Sequence, residues 1–159
     1  MKPGAPIFLA QLALGATIIF CIGCGGPEIP EILPVSGVVK INGKPLPNAA
    51  LRFVPMADGL DSGYVASGTT NKEGEFSLRL QGKEEIGCCA CLCKVTIDDP
   101  PVPEEVRTAY GAGNQTLVGR YKKSLKNRPI PAAYKLLRTT PLQKEISAEE
   151  SELNIEIKR

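Results

Sequence analysis

Four cysteines, Cys88, Cys89, Cys91 and Cys93, fall within six consecutive positions of the stretch "GCCACLCKVTI", residues 87–97. Thiolates are soft ligands suited to Zn2+ or Cu+. The same groups also form disulfides, or pack as small apolar side chains. The residues that follow, Val95 and Ile97, alternate as a β-strand. Continued backwards, that alternation puts Cys89, Cys91 and Cys93 on the inward face and turns Cys88 the other way. Neighbours at i and i+2 on a regular strand sit about 6.6 Å apart with parallel Cβ vectors, near the outer limit for a bridge. Zinc sites usually draw their ligands from two turns, so thiols strung along one strand do not converge. The preferred expectation is therefore core packing, with no metal and no cofactor. Disulfides rank second and a thiol or metal site at Cys88, Cys89, Cys91 and Cys93 third.

Other chemistry finds few residues to carry it. The 159-residue chain has no histidine, which removes His-based triads, Cys–His dyads and imidazole metal sites. No nucleophile-elbow motif is present. Asn71, Glu73 and Glu75 touch on a calcium-loop pattern but lack its other ligand positions, so a turn is expected there. A Lys–Asn amide crosslink is set aside because Lys40 and Asn154 both alternate outward. The expectation is a protein that is not an enzyme.

A net charge of +2 gives no global field for nucleic acid. The charge is uneven, however. No acidic residue lies between Glu105 and Glu145, while basic ones accumulate in a long Pro- and Gly-rich connection at about 98–131. Arg120, Lys122, Lys123, Lys126 and Arg128 are candidates for contact with anionic lipid or acidic envelope polysaccharide, and Tyr110 and Tyr121 could stack on sugar. A solvated loop is the simpler expectation.

The N-terminus carries an address. Lys2 precedes an apolar run from Pro6 to Ile22, slightly short for a spanning helix and without charge on its far side, as in a secretory signal peptide. "CIGC", residues 21–24, resembles a bacterial lipobox, although Cys21 stands where Leu is usual. The expected organisation is a cleaved signal peptide at 1–23, a lipidated Cys24 with a Gly/Pro tether to 34, and a folded domain at 35–159. Several palmitate-type acyl chains would hold Cys24 stably in a membrane, each buried methylene contributing about 0.8 kcal/mol. The absence of Asp after Cys24 resembles lipoproteins sorted onward to an outer membrane. The expected localisation is the cell envelope, on the outer-membrane or periplasmic side.

The rest reads as strands and turns. Val35, Val39 and Ile41 share a face, "NGK" at 42–44 supplies a turn, and Leu51 and Phe53 point inward around Arg52. Phe76, Leu78 and Leu80 alternate with polar residues beyond the "TNKEG" turn. Leu153, Ile155 and Ile157 alternate with Glu152, Asn154 and Glu156. Helical periodicity is absent, save a turn near Ala132–Leu137. About seven short strands argue for an all-β, single antiparallel Greek-key sandwich.

In order, "VSGVVKINGKPLPNAALRFVP", "SGTTNKEGEFSL", "CKVTI" and "IPAAYKLLRTTPLQKEIS…SELNIEI" resemble small bacterial lipoproteins with a carboxypeptidase-regulatory-like, transthyretin-like domain. The resemblance runs from about Val35 to Ile157. It departs at Cys91 and Cys93, where the family tends to have Gly and Tyr. It implies a prealbumin-like (Ig-like) sandwich in the cell envelope, with no settled activity; the peptidase name refers to an accessory domain. The expected function is a non-catalytic, lipid-anchored binding or structural module with a carbohydrate-binding-like fold. Its partners would be membrane lipid through Cys24 and an envelope polysaccharide or protein. The alternative is a thiol-based metal-binding or redox protein.

Overall fold

A computed structural model describes residues 31–57, 62–83, 85–108 and 113–159. The signal peptide, Cys24, most of the tether and Tyr110 lie outside the described residues. No helix among the described residues is long and apolar enough to cross a membrane.

The chain is all-β in its core. In order it forms β1 (Ile32–Leu33), β2 (Ser36–Ile41), β3 (Lys44–Pro45), β4 (Ala50–Pro55), β5 (Ala66–Thr69), β6 (Glu75–Ser77), β7 (Arg79–Leu80), β8 (Cys88–Cys89) and β9 (Leu92–Asp98). Then come α1 (Glu104–Arg107), α2 (Gly113–Ser124), α3 (Ala132–Lys135), β10 (Gln143–Glu145) and β11 (Glu152–Ile157). Several of these strands are two-residue pieces, so the count exceeds the seven expected while the longer strands fall where the alternation put them.

Local chemistry sets the joints. Asn42 and Gly43 both have positive φ, 49° and 74°, the conformation a two-residue hairpin needs to match strand twist. They turn β2 into β3, with Ile41 opposite Lys44. At the next turn Asn71 acts as the organiser: its Oδ1 accepts from the backbone N–H of Glu73 and of Glu75, both at 2.9 Å. Its Nδ2 donates to Glu75 Oε2 at 2.9 Å. These bonds occupy the Asn71 oxygen and one Glu75 oxygen, two of the groups that a calcium loop would have offered to an ion.

One sheet runs β10-β9-β4-β5-β7, antiparallel throughout. The second places β2 between β11 on one side and β3 and β6 on the other. Here the expectation of a wholly antiparallel arrangement fails, because β11 pairs with β2 in parallel, Leu153 opposite Gly37 and Ile157 opposite Ile41. The two strands are nearly the first and last among the described residues, and such a long connection allows a parallel return. Both sheets feed one core: Val39, Ile41, Phe76, Leu153, Ile155 and Ile157 from one, Leu51, Phe53, Val95 and Ile97 from the other, all buried. Phe53 and Phe76, from different sheets, have ring centroids 6.1 Å apart.

The basic connection is not wholly loop. Residues 113–124 form α2, missed because its faces show little apolar contrast: Leu117 is exposed and only Val118, Gly119 and Tyr121 are half-buried among the residues from 115 to 124. What fastens this connection to the sheets is a latch at the end of β9. Asp99 Oδ1 accepts from Arg128 Nε, and Asp99 Oδ2 accepts from Lys135 Nζ at 2.8 Å. Arg128 also donates to the carbonyls of Lys126, Pro47 and Asn48.

Candidate functional site

A third, two-stranded sheet builds the site. β1 pairs antiparallel with β8, Ile32 opposite Cys89 and Leu33 opposite Cys88. Immediately before them Gly87 has φ +137°, in the half of the map that L-residues avoid. A Cβ there would lie 2.3 Å from the Leu33 carbonyl oxygen, so only glycine lets β8 approach β1 this closely.

After β8 the strand breaks. Cys91 donates its backbone N–H to the Cys89 carbonyl at 2.9 Å, an i to i+2 bond that makes Cys89–Ala90–Cys91 a γ-turn. Outside bonds hold the turn in place: Ala90 N–H donates to the Glu31 carbonyl at 2.8 Å, and Ile146 N–H to the Cys91 carbonyl at 3.0 Å. The chain then resumes as β9, where Cys93 lies between Pro55 of β4 and Lys144 of β10.

This break corrects the sequence reading of the thiols. A straight strand would have separated them; the γ-turn folds them together. Cys89 and Cys91 Sγ are 3.1 Å apart, Cys91 and Cys93 3.8 Å, and Cys88 and Cys93 3.8 Å. The Sγ atoms of Cys88, Cys89 and Cys93 all lie within 4.8 Å of one another. Cys88, expected to face away, is fully buried with Cys89 and Cys93, whereas Cys91, expected inside, is half-exposed. All four are free thiols.

Crowding makes their ionisation unequal. Hydrogen bonds from the Cys89 and Cys93 thiols favour the thiolate of Cys88 and pull its pKa down, against the opposing effect of burial. Cys89, donating to Cys88, is pushed up. Cys93 is pushed up for the same reason, followed by burial. Burial first, then its bond to Cys89, raises Cys91 to about 12. Such a cluster gives up one proton readily and holds the rest, unless a cation offsets the accumulating charge. Lys144, half-buried and directly across from Cys93, stands on the same face of the sheet as that thiol.

The basic candidates separate into two groups. Arg120, Lys122, Lys123 and Lys126 are exposed, the first three along α2. Arg128, in contrast, has a side chain only 10% exposed and committed to the latch, which turns it away from outside polyanions. Lys40 and Asn154 point outward. Between β2, β6 and β11 lies an open cleft of about 490 Å³ lined by Glu75 and Glu152, which the sequence reading named separately but did not bring together; alternation shows a side chain as outward but not which outward side chains share a cleft.

No protein-family model, curated protein or solved structure matches this chain.

Proposed function

We propose that the chain is a lipid-anchored cell-envelope protein, acylated at Cys24, whose domain is a non-catalytic prealbumin-like Greek-key sandwich serving as a binding or structural module. The observation that carries this reading is how near Cys24 lies to the sheets along the chain. The first element among the described residues, β1, starts at Ile32, so the chain from Cys24 to it spans at most roughly 28 Å at 3.3–3.6 Å per residue. That length keeps the domain beside the membrane. The common core of the two sheets supports a sandwich, and the lack of histidine supports a non-catalytic role. Expressed in a bacterial host fed alkyne-palmitate, the full chain takes up label and sediments with membranes. Cys24→Ala loses both. Label retained in that variant, or absent from the parent chain, overturns the reading.

The convergence of the thiols favours a second reading. Four sulfurs brought together by a turn that breaks a strand are more than a small apolar filling, and they make the domain a thiol protein, binding metal or cycling between dithiol and disulfide.

A further inference from the structure

We propose that Cys88, Cys89, Cys91 and Cys93 form a tetrathiolate site for one soft d10 metal ion, Zn2+ or Cu+, at the pole of the domain nearest its N-terminal tether. The inference rests on the thiol reading above and is independent of acylation at Cys24.

The sulfur geometry distinguishes a metal from the alternatives. Four sulfurs at about 2.3 Å from a central zinc define a tetrahedron with edges of about 3.8 Å. Two of the observed separations are 3.8 Å and a third is 3.1 Å. A disulfide scheme needs two isolated close pairs. Here Cys93 touches both Cys88 and Cys91, and Cys88, Cys89 and Cys93 are mutually close. Three sulfurs thus surround a point, and Cys91, outside that group, reaches it through Cys89 and Cys93. Apolar packing accounts no better for it, since a core seeking small side chains has no need to gather three sulfurs within 4.8 Å of one another; the 3.1 Å Cys89–Cys91 contact is shorter than a tetrahedral edge and must widen when an ion enters.

The surroundings fit a closed site with one approach. Cys88, Cys89 and Cys93 are fully buried, and Cys91 alone is half-exposed, so an ion reaches the cluster past Cys91. Ligands come from two local pieces, β8 with its γ-turn and the start of β9, which restores the two-segment arrangement that a single strand denies. Each thiol releases its proton to solvent as its bond to the metal forms, with no change of oxidation state. Four thiolates on Zn2+ leave a net charge of −2.

The test uses the full chain with Cys21→Ser and Cys24→Ser, so that only the four cluster thiols count, purified in detergent, reduced and without oxygen. It is titrated with Zn2+, with Cu+ held by a competing chelator, and with Co2+ as a spectroscopic probe. Expected are one ion per chain, intense d–d bands of tetrahedral Co2+ with sulfur charge-transfer bands, and displacement of Co2+ by Zn2+ or Cu+. Cys91→Ser, at the exposed corner, lowers affinity by at least about tenfold, the least that loss of a direct ligand should cost, and shifts the charge-transfer bands. Cys93→Ser abolishes stoichiometric binding; should it not fold, the Co2+ spectrum of the parent chain still decides. No stoichiometric ion, or a weak octahedral Co2+ spectrum, overturns the site. If the metal-free chain then forms disulfides that cycle reversibly, the thiol reading survives and the metal inference alone has failed. If the thiols neither bind nor oxidise, and replacing all four by Ala or Val leaves melting unchanged, both have failed.

Discussion

Gly87→Ala separates the thiol cluster from the fold that carries it. An added Cβ meets the Leu33 carbonyl oxygen at 2.3 Å, its carbon at 2.9 Å and Ile32 Cγ2 at 3.0 Å. Two of the three are backbone, so no rotamer relieves the clash and β1 must move away from β8. Holding a non-glycine residue at φ +137° costs about 1–3 kcal/mol. Losing the short β1–β8 ladder adds about 0.5–1.5 kcal/mol per hydrogen bond. With one such bond lost the two terms sum to about 1.5–4.5 kcal/mol. Gly43→Ala is the control, because φ is also positive at +74° but nothing lies within 4 Å of the added atom. It costs only the left-handed backbone term, about 1–2 kcal/mol. Urea unfolding measures both variants. The reaction of the metal-free protein with a thiol reagent localises the effect, since Cys88 and Cys89 are buried against β1. If opening of this small sheet limits their reaction, a loss of 2 kcal/mol or more accelerates it by roughly thirtyfold or more, at 1.4 kcal/mol per factor of ten. Should Gly87→Ala prove no costlier than Gly43→Ala, with unchanged thiol rates, β1 does not pin the cysteines and the reasoning is wrong.

Two further outcomes test the core and the latch. Thr70 is buried; its hydroxyl accepts from Ala49 N–H at 2.8 Å and donates to the Leu46 carbonyl at 2.6 Å. Thr70→Val keeps the shape but leaves both backbone groups unsatisfied, a loss of about 2–4 kcal/mol in urea unfolding; a loss under about 1 kcal/mol counts against that role. Burial works against the charge of Asp99, but the hydrogen bonds from Lys135 and Arg128 outweigh it and hold the carboxyl below its usual range. Its folded pKa is thus depressed, so its contribution is fully present above the unfolded value of about 3.9 and disappears as pH falls through the folded value. The stability difference between the parent chain and Asp99→Asn should therefore shrink as pH drops below about 4; a constant difference from neutral pH to pH 2 would show that the ion pairs contribute nothing.

How much of this was legible depends on contrast between neighbouring side chains. The strand at 152–157 was plain because Leu153, Ile155 and Ile157 alternate with Glu152, Asn154 and Glu156, and burial follows that alternation residue by residue. The "NG" and Asn71 turns were plain because the residues supply the backbone conformation and the capping oxygen themselves. Direction was not legible: alternation is identical for parallel and antiparallel neighbours, so the β2–β11 pairing could not be foreseen. Nor was the latch, whose Asp99 and Arg128 are 29 residues apart with nothing local to link them.

The thiol site sits where contrast vanishes. From Cys88 to Cys93 every residue is apolar or a thiol, so either face could be the inward one and a strand broken at Ala90 looks the same as a continuous one. The period set by Val95 and Ile97 keeps the thiols apart only on a regular strand, and the γ-turn at Ala90 removes that regularity. The one local hint was Gly87, a residue that often marks close backbone approach inside a strand pattern. The tendency of neighbouring thiols to be driven together is set instead by partners distant in sequence. Glu31 takes the Ala90 N–H, and Ile146 donates to Cys91. The γ-turn that gathers the sulfurs is thus clamped by segments far before and far after it in sequence, so cysteine convergence should depend on the domain being fully folded, and a peptide of residues 85–98 alone should not reproduce it.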